Sequence, residues 1–122
     1  MNLSRMRLLD DVLTDVIEGR AKLGFDMGTW HCGTTACAGG HLALDPRANA
    51  EGLSLTSHLD WGLVPTFDGA HGYSPLAVFL EITTNQSERL FSSYNYRRRK
   101  DGSISPQAVR RRVRAMIKRA TP

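Results

Sequence analysis

Both cysteines and two of the four histidines fall within residues 25–42, FDMGTWHCGTTACAGGHL, and their spacing admits three kinds of chemistry. Cys37 and His41 are four apart, so on a helix they share one face. Cys32 lies just ahead, and a C-x4-C-x3-H arrangement lets three ligands converge on zinc, with His31, His58 or His71 as the fourth. The C-x2-C pairs of the strong zinc patterns are missing. A second reading makes Cys37 a nucleophile, because a helix N-terminus lowers a thiol pKa and a nearby histidine can act as base. No oxyanion donor or orienting carboxylate can be assigned to it from the sequence. The third reading is packing: free cysteine behaves as a small buried hydrophobe, and Ala36, Cys37, Ala38, Gly39 and Gly40 make a thin helix face. The sequence favours packing.

A different chemistry belongs to the C-terminal third. YNYRRRK interleaves Tyr94 and Tyr96 with Arg97, Arg98, Arg99 and Lys100, and VRRRVRAMIKR adds Arg110, Arg111, Arg112, Arg114, Lys118 and Arg119. The guanidinium fork donates two parallel hydrogen bonds to phosphate, and a tyrosine beside it can stack on an unpaired base. A solvated helix face that keeps the chain soluble is the competing explanation. Ten cations within residues 97–119 weigh against it.

Helical spacing positions these groups. Ser4 is a plausible cap for a first helix to about Gly19, with Leu9, Val12, Leu13, Val16 and Ile17 as its apolar stripe. Thr34 or Thr35 would cap a second helix that ends at Leu44, before Asp45-Pro46. Gly39 and Gly40 would cost that helix about 2 kcal/mol relative to alanine, so close approach of another helix is expected. Residues 46–74 read as a small hairpin or an ordered loop. Ser74-Pro75 opens a third helix, Asn85 would cap the next, and Ser105-Pro106 opens the last, with Val109, Val113, Met116 and Ala120 on its apolar face.

PLAVFLEITTNQSERLF can also be laid on a helix-turn-helix template. Ala77 stands at the crossing, Leu80 and Ile82 flank the turn, and Leu90 is the last core contact. Residues 84–93 would be the recognition helix, offering Gln86 and Arg89 to base edges. Glu81, where glycine is usual, and Ser87, where an apolar residue is usual, depart from the template.

The net charge of +4 conceals a division. Residues 1–88 hold 5 Lys or Arg against 11 Asp or Glu, whereas residues 89–122 hold 11 against the single Asp101. The basic block must face nucleic acid, an anionic protein surface, or the acidic part of its own chain. A chain of 122 residues with 41% hydrophobic content suits one domain. No apolar run of about 18 residues predicts a membrane span, and the N-terminus lacks the features of a signal peptide. Two cysteines make no disulfide framework, so a reducing cytosol is the default compartment.

The motif residues Phe25, Asp26, Met27, Trp30, Cys32, Gly33, Thr34, Cys37 and Gly39, followed by Phe79, Leu80, Leu90 and Phe91, resemble an uncharacterised family of small phage, prophage and mobile-element proteins. The resemblance covers about residues 8–92 and stops before the arginine-rich tail. It implies a phage-type setting and a regulatory or host-defence-blocking role, with no activity to carry over.

The expectation is a mainly α, compact bundle of about four to five helices with a small β-hairpin in the middle region. Residues 1–122 form a single domain, with the basic segment 94–122 as an appended helix. The protein is expected to bind nucleic acid or a nucleoprotein, in the bacterial cytoplasm and away from membranes, through Arg89, Tyr94, Tyr96, Arg97, Arg98, Arg99, Lys100, Arg110, Arg111, Arg114 and Lys118. No cofactor is expected, zinc on Cys32, Cys37 and His41 being the alternative. Two rivals are an interaction module that inhibits a host protein, and a zinc- or thiol-dependent enzyme built on those same three residues.

Overall fold

A computed structural model describes residues 1–121 except Cys32, Asp60, Trp61 and Gly72, and leaves the side chains of His58, His71 and Tyr73 undescribed. Helix α1 (Leu3–Ile17) is capped by Asn2, whose side chain accepts the Arg5 N–H at 3.1 Å, and not by Ser4. The cap sits earlier because Asn2 is held from outside: its N–H donates to the Leu80 carbonyl and its amide to Glu81. Leu9, Val12 and Leu13 are buried as their spacing predicts, joined by Met6 and Leu8, while Val16 and Ile17 are half-buried near the fraying end.

Strands β1 (Gly24–Phe25) and β2 (Thr35–Ala36) pair in parallel and close the loop between them. This pairing corrects the expected start of α2 (Ala38–Leu44). Thr35 lies in β2, and Cys37 is the N-cap, its sulfur accepting the Gly40 N–H at 3.4 Å. Asp45 ends α2 and caps the one-turn helix α3 (Pro46–Asn49).

The ambiguous middle region forms an antiparallel sheet, β3 (Ser54–His58), β4 (Gly62–Phe67) and β5 (Ala70–His71), in that order. Val64 is fully buried, and the Phe67 ring meets Phe79 edge-on at 5.4 Å. Phe79 belongs to α4 (Tyr73–Leu80), which lies against β4 and leads into α5 (Thr84–Phe91).

The α4–α5 turn shows why glycine is usual where Glu81 stands. Ile82 N–H donates to the Ala77 carbonyl and Glu81 N–H to that of Val78, a Schellman closure that puts Glu81 at φ 55°. Thr83, not Asn85, then caps α5 in a capping box with Gln86. After a 3-10 turn (Ser93–Asn95), α6 (Pro106–Ala120) starts at its expected cap, Ser105. Val109, Val113 and Met116 are buried, and Ala120, past the last core contact, is exposed. One core cluster runs from Met6 in α1 to Met116 in α6. The molecule is therefore a mainly α bundle with a small β-hairpin, and α6 is part of its core.

Candidate functional site

The cysteine–histidine stretch is held together by backbone hydrogen bonds. Gly24 N–H donates to Thr34, Asp26 N–H to Ala36 and Cys37 N–H to Thr29, while the Asp26 carboxylate accepts the Gly28 N–H. Burial pushes the Cys37 thiol up to about 12, which keeps it protonated at neutral pH and opposes a nucleophilic thiolate. His41 Nε2 lies 2.8 Å from the Gly24 carbonyl. A carbonyl only accepts, so this nitrogen carries the proton and is committed to the β1 backbone. Burial lowers the His41 pKa, the Gly24 bond partly opposes this, and His31 adds to the lowering. Cys32 and the side chains of His58 and His71, also named for the zinc arrangement, lie outside the described residues. Among those described, no three His, Cys, Asp or Glu side chains are grouped to hold a metal.

The paired glycines have a direct cause. A Cβ at Gly40 would stand 1.7 Å from the Trp30 carbonyl oxygen, and one at Gly39 would meet the Trp30 ring at 2.7 Å and Leu76 at 2.9 Å. The expected partner was another helix. What presses on α2 most closely is the backbone of the Trp30 loop, and that loop can close only over glycine.

The C-terminal residues form a different kind of surface. Helix α6 has three faces at helical spacing. Val109, Val113 and Met116 face the core. Arg110 and Arg114 face α1, where they donate to Thr14 Oγ1 at 3.2 Å and to Asp10 at 2.9 Å. Lys118 borders the same α1–α6 groove with Arg7, Asp10 and Asp11. Ala108, Arg111, Arg112, Ala115 and Arg119 look the other way, toward α5 and the 96–103 loop.

Arg112 fastens that third face. It donates to the Arg89 carbonyl at 2.8 Å and to the Asn95 carbonyl, and stacks 3.8 Å from the Tyr96 ring centroid. Tyr96 is buried, and its hydroxyl donates to the Leu90 carbonyl at 2.8 Å. Burial raises its pKa to about 12, which preserves that donor. The Asn95 amide takes the Glu88 carbonyl at 3.0 Å. Past the last helix bond at Glu88, the Arg89 carbonyl is thus met by Arg112 and the Leu90 carbonyl by Tyr96.

Two adjoining clefts result. One, of about 440 Å³, lies between α5 and α6 with Arg89, Arg112 and Arg119 among its walls. The other, of about 540 Å³, is bordered by Arg97, Arg98, Arg99, Arg111 and Arg112. Seven arginines line the pair, with no carboxylate among the lining residues. The 97–103 segment is an ordered turn: Arg99 N–H donates to Ser103 O at 2.7 Å, and Gly102 takes φ 83°. Arg98 donates to the Gly102 carbonyl and Arg99 to Ser103 Oγ, while Arg97, Lys100, Arg111 and Arg119 have no side-chain hydrogen bond or ion pair among the described residues. Asp101 accepts twice from Ser103, and these bonds hold its carboxyl below its usual range.

The structure therefore sorts the residues the sequence singled out. Arg89, Arg97, Arg98, Arg99 and Arg111 gather at the clefts. Arg110, Arg114 and Lys118 lie toward α1, and Lys100 and Tyr94 are exposed on the neighbouring turns. Tyr96 is buried with Arg112 over its ring, which opposes the stacking role expected of it. Gln86 has its carbonyl oxygen engaged by Thr83 N–H. Arg112 and Arg119, basic residues of the same helix, join the cleft group on the 108, 112, 115, 119 spacing. No protein-family model matches the chain, and no curated protein or solved structure matches it either.

Proposed function

We propose that this is a small binding protein that contacts the phosphate backbone of nucleic acid, free or within a nucleoprotein, through the arginine-lined clefts beside α6. The observation that carries this reading is seven arginines around two adjoining clefts with no carboxylate among them. Like charges gathered on a surface repel one another, so a polyanion that relieves that repulsion gains affinity directly. The acidic part of the chain does not serve as that polyanion. Of the ion pairs among the described residues, Arg114–Asp10 alone joins the basic block to it. The phage-type setting and the regulatory or host-defence-blocking role belong to the same proposal.

The test is the salt dependence of binding to mixed-sequence nucleic acid, followed by fluorescence anisotropy. Contact with six or more phosphates predicts an affinity loss of about a thousandfold between 50 and 200 mM salt. Absent binding, or an affinity indifferent to salt, would sink the reading.

A further inference from the structure

Phosphate recognition leaves part of the α5–α6 cleft unexplained. Its walls also include Met116, which the core leaves 7% exposed, and the buried Leu90 behind it. Gln86 and Asn95 border it too. Gln86 spends its carbonyl oxygen on Thr83 N–H, which leaves its NH2 group to donate. Asn95 spends an amide hydrogen on the Glu88 carbonyl, which leaves its oxygen to accept. An apolar floor with one donor and one acceptor beside it suits the flat face and polar edge of a nucleobase. In a duplex that face is stacked and that edge is paired.

The two clefts meet at Arg112 and Ala115. Arg112 is fixed by its two carbonyl partners and by Tyr96. Ala115 is exposed, and its methyl group leaves a low crossing between the clefts.

We propose that the two clefts form one track for a single-stranded polynucleotide. A base sits in the α5–α6 cleft between Gln86 and Asn95, against the part of Met116 the core leaves open, and the backbone crosses Ala115 into the cleft of Arg97, Arg98, Arg99 and Arg111. This rests on the arginine surface being the nucleic-acid contact, and it specifies the strand state that surface selects.

Anisotropy with the full chain tests it, using an oligothymidylate of about 12 nucleotides and a mixed-sequence duplex of equal length at one salt concentration. The single strand should bind at least about tenfold more tightly than the duplex. Ala115→Trp, at an exposed helix position, should raise the crossing and cost single-strand affinity about tenfold, a larger loss than the duplex shows, with the melting temperature unchanged. Equal binding of both probes, or an Ala115→Trp effect that is absent or the same on both, would overturn the track while the phosphate reading stands. Failure to bind either probe would remove both. A polyglutamate peptide that binds as tightly as the oligothymidylate would also overturn it, since charge alone would then suffice.

Discussion

Residues 1–88 and residues 89–122 both place charge on a small surface, and they do it in opposite ways. In the first block Arg5, Arg20 and Arg47 reach Glu51, Asp15, Glu18 and Asp45 at 2.8–3.6 Å. Those three cations are paired with acids of their own block. In the second, Arg114 alone among the described cations finds a carboxylate. The other arginines that make contacts there use neutral acceptors: Arg98 and Arg112 donate to backbone carbonyls, and Arg99 and Arg110 to hydroxyls. Those bonds fix a guanidinium without neutralising it. The first block pairs Arg5, Arg20 and Arg47 with its own acids; the second leaves most of its cations without a carboxylate.

The sharpest way to break this contrast is to remove the charge where it is least paired. Replacing Arg97, Arg98 and Arg99 together by alanine should lower nucleic-acid affinity about a hundredfold and reduce the log–log salt slope by about three. Circular dichroism should show the fold unchanged, since all three are exposed. An unaltered affinity would place the contact elsewhere.

Gly40→Ala probes the other block. The Trp30 carbonyl leaves a methyl group no room, so urea unfolding should show a loss of about 3 kcal/mol. Gly39→Ala should lose less, because a ring and a leucine methyl can shift where a backbone carbonyl cannot. If Gly40→Ala matches wild type, the loop is not clamped as described.

Arg112→Ala should cost about 2 kcal/mol, since two carbonyls lose a charged donor and the Tyr96 ring loses its cover. Arg112→Lys should recover less than half of this, because one ammonium cannot replace the fork. Full recovery would mean that charge alone holds α6 to the 3-10 turn.

His41 should give a smaller, pH-dependent effect. Its folded pKa lies below the unfolded value of about 6.5, so as pH falls through that value the native state binds fewer protons than the unfolded state. Its contribution to stability is full above that pH and is lost on acidification below it. In His41→Gln, which can keep a donor toward Gly24, stability should fall less between about pH 7 and 5 in melting curves. An identical pH profile would remove His41 as the source.

The smallest change should come from Cys37→Ser. Serine is a favoured N-cap, and its hydroxyl can accept the Gly40 N–H that the sulfur now takes, so stability should stay within about 1 kcal/mol. A larger loss in thermal unfolding would show that the volume of the sulfur matters more than the cap.

What could be read in advance depended on how local the cause was. Ser105-Pro106 marked the start of α6, and Val109, Val113 and Met116 marked its inner face, because cap and stripe are written within one helix. The caps of α1, α2 and α5 fell instead to Asn2, Cys37 and Thr83. Strand pairing at Thr35, the hold on Asn2 and the Schellman turn at Glu81 chose among candidates that sequence alone leaves equivalent. The cost of Gly39-Gly40 was legible, and its cause was not, since nothing near position 40 in the sequence points to the carbonyl of Trp30. Tyr94 and Tyr96 look alike in YNYRRRK. Packing leaves the first exposed and buries the second under Arg112.

The sequence by itself determined the helical class, the inner face of α6 and the division of charge, because propensity, period and composition act over a few residues or over whole blocks. Tertiary structure decided which arginines stand together. Arg89, Arg97 and Arg119 are separated along the chain and meet only because α6 packs on α1 while Arg112 and Tyr96 tie it to the end of α5. Proximity between distant residues is a property of packing, and here packing turns a run of basic residues into two clefts.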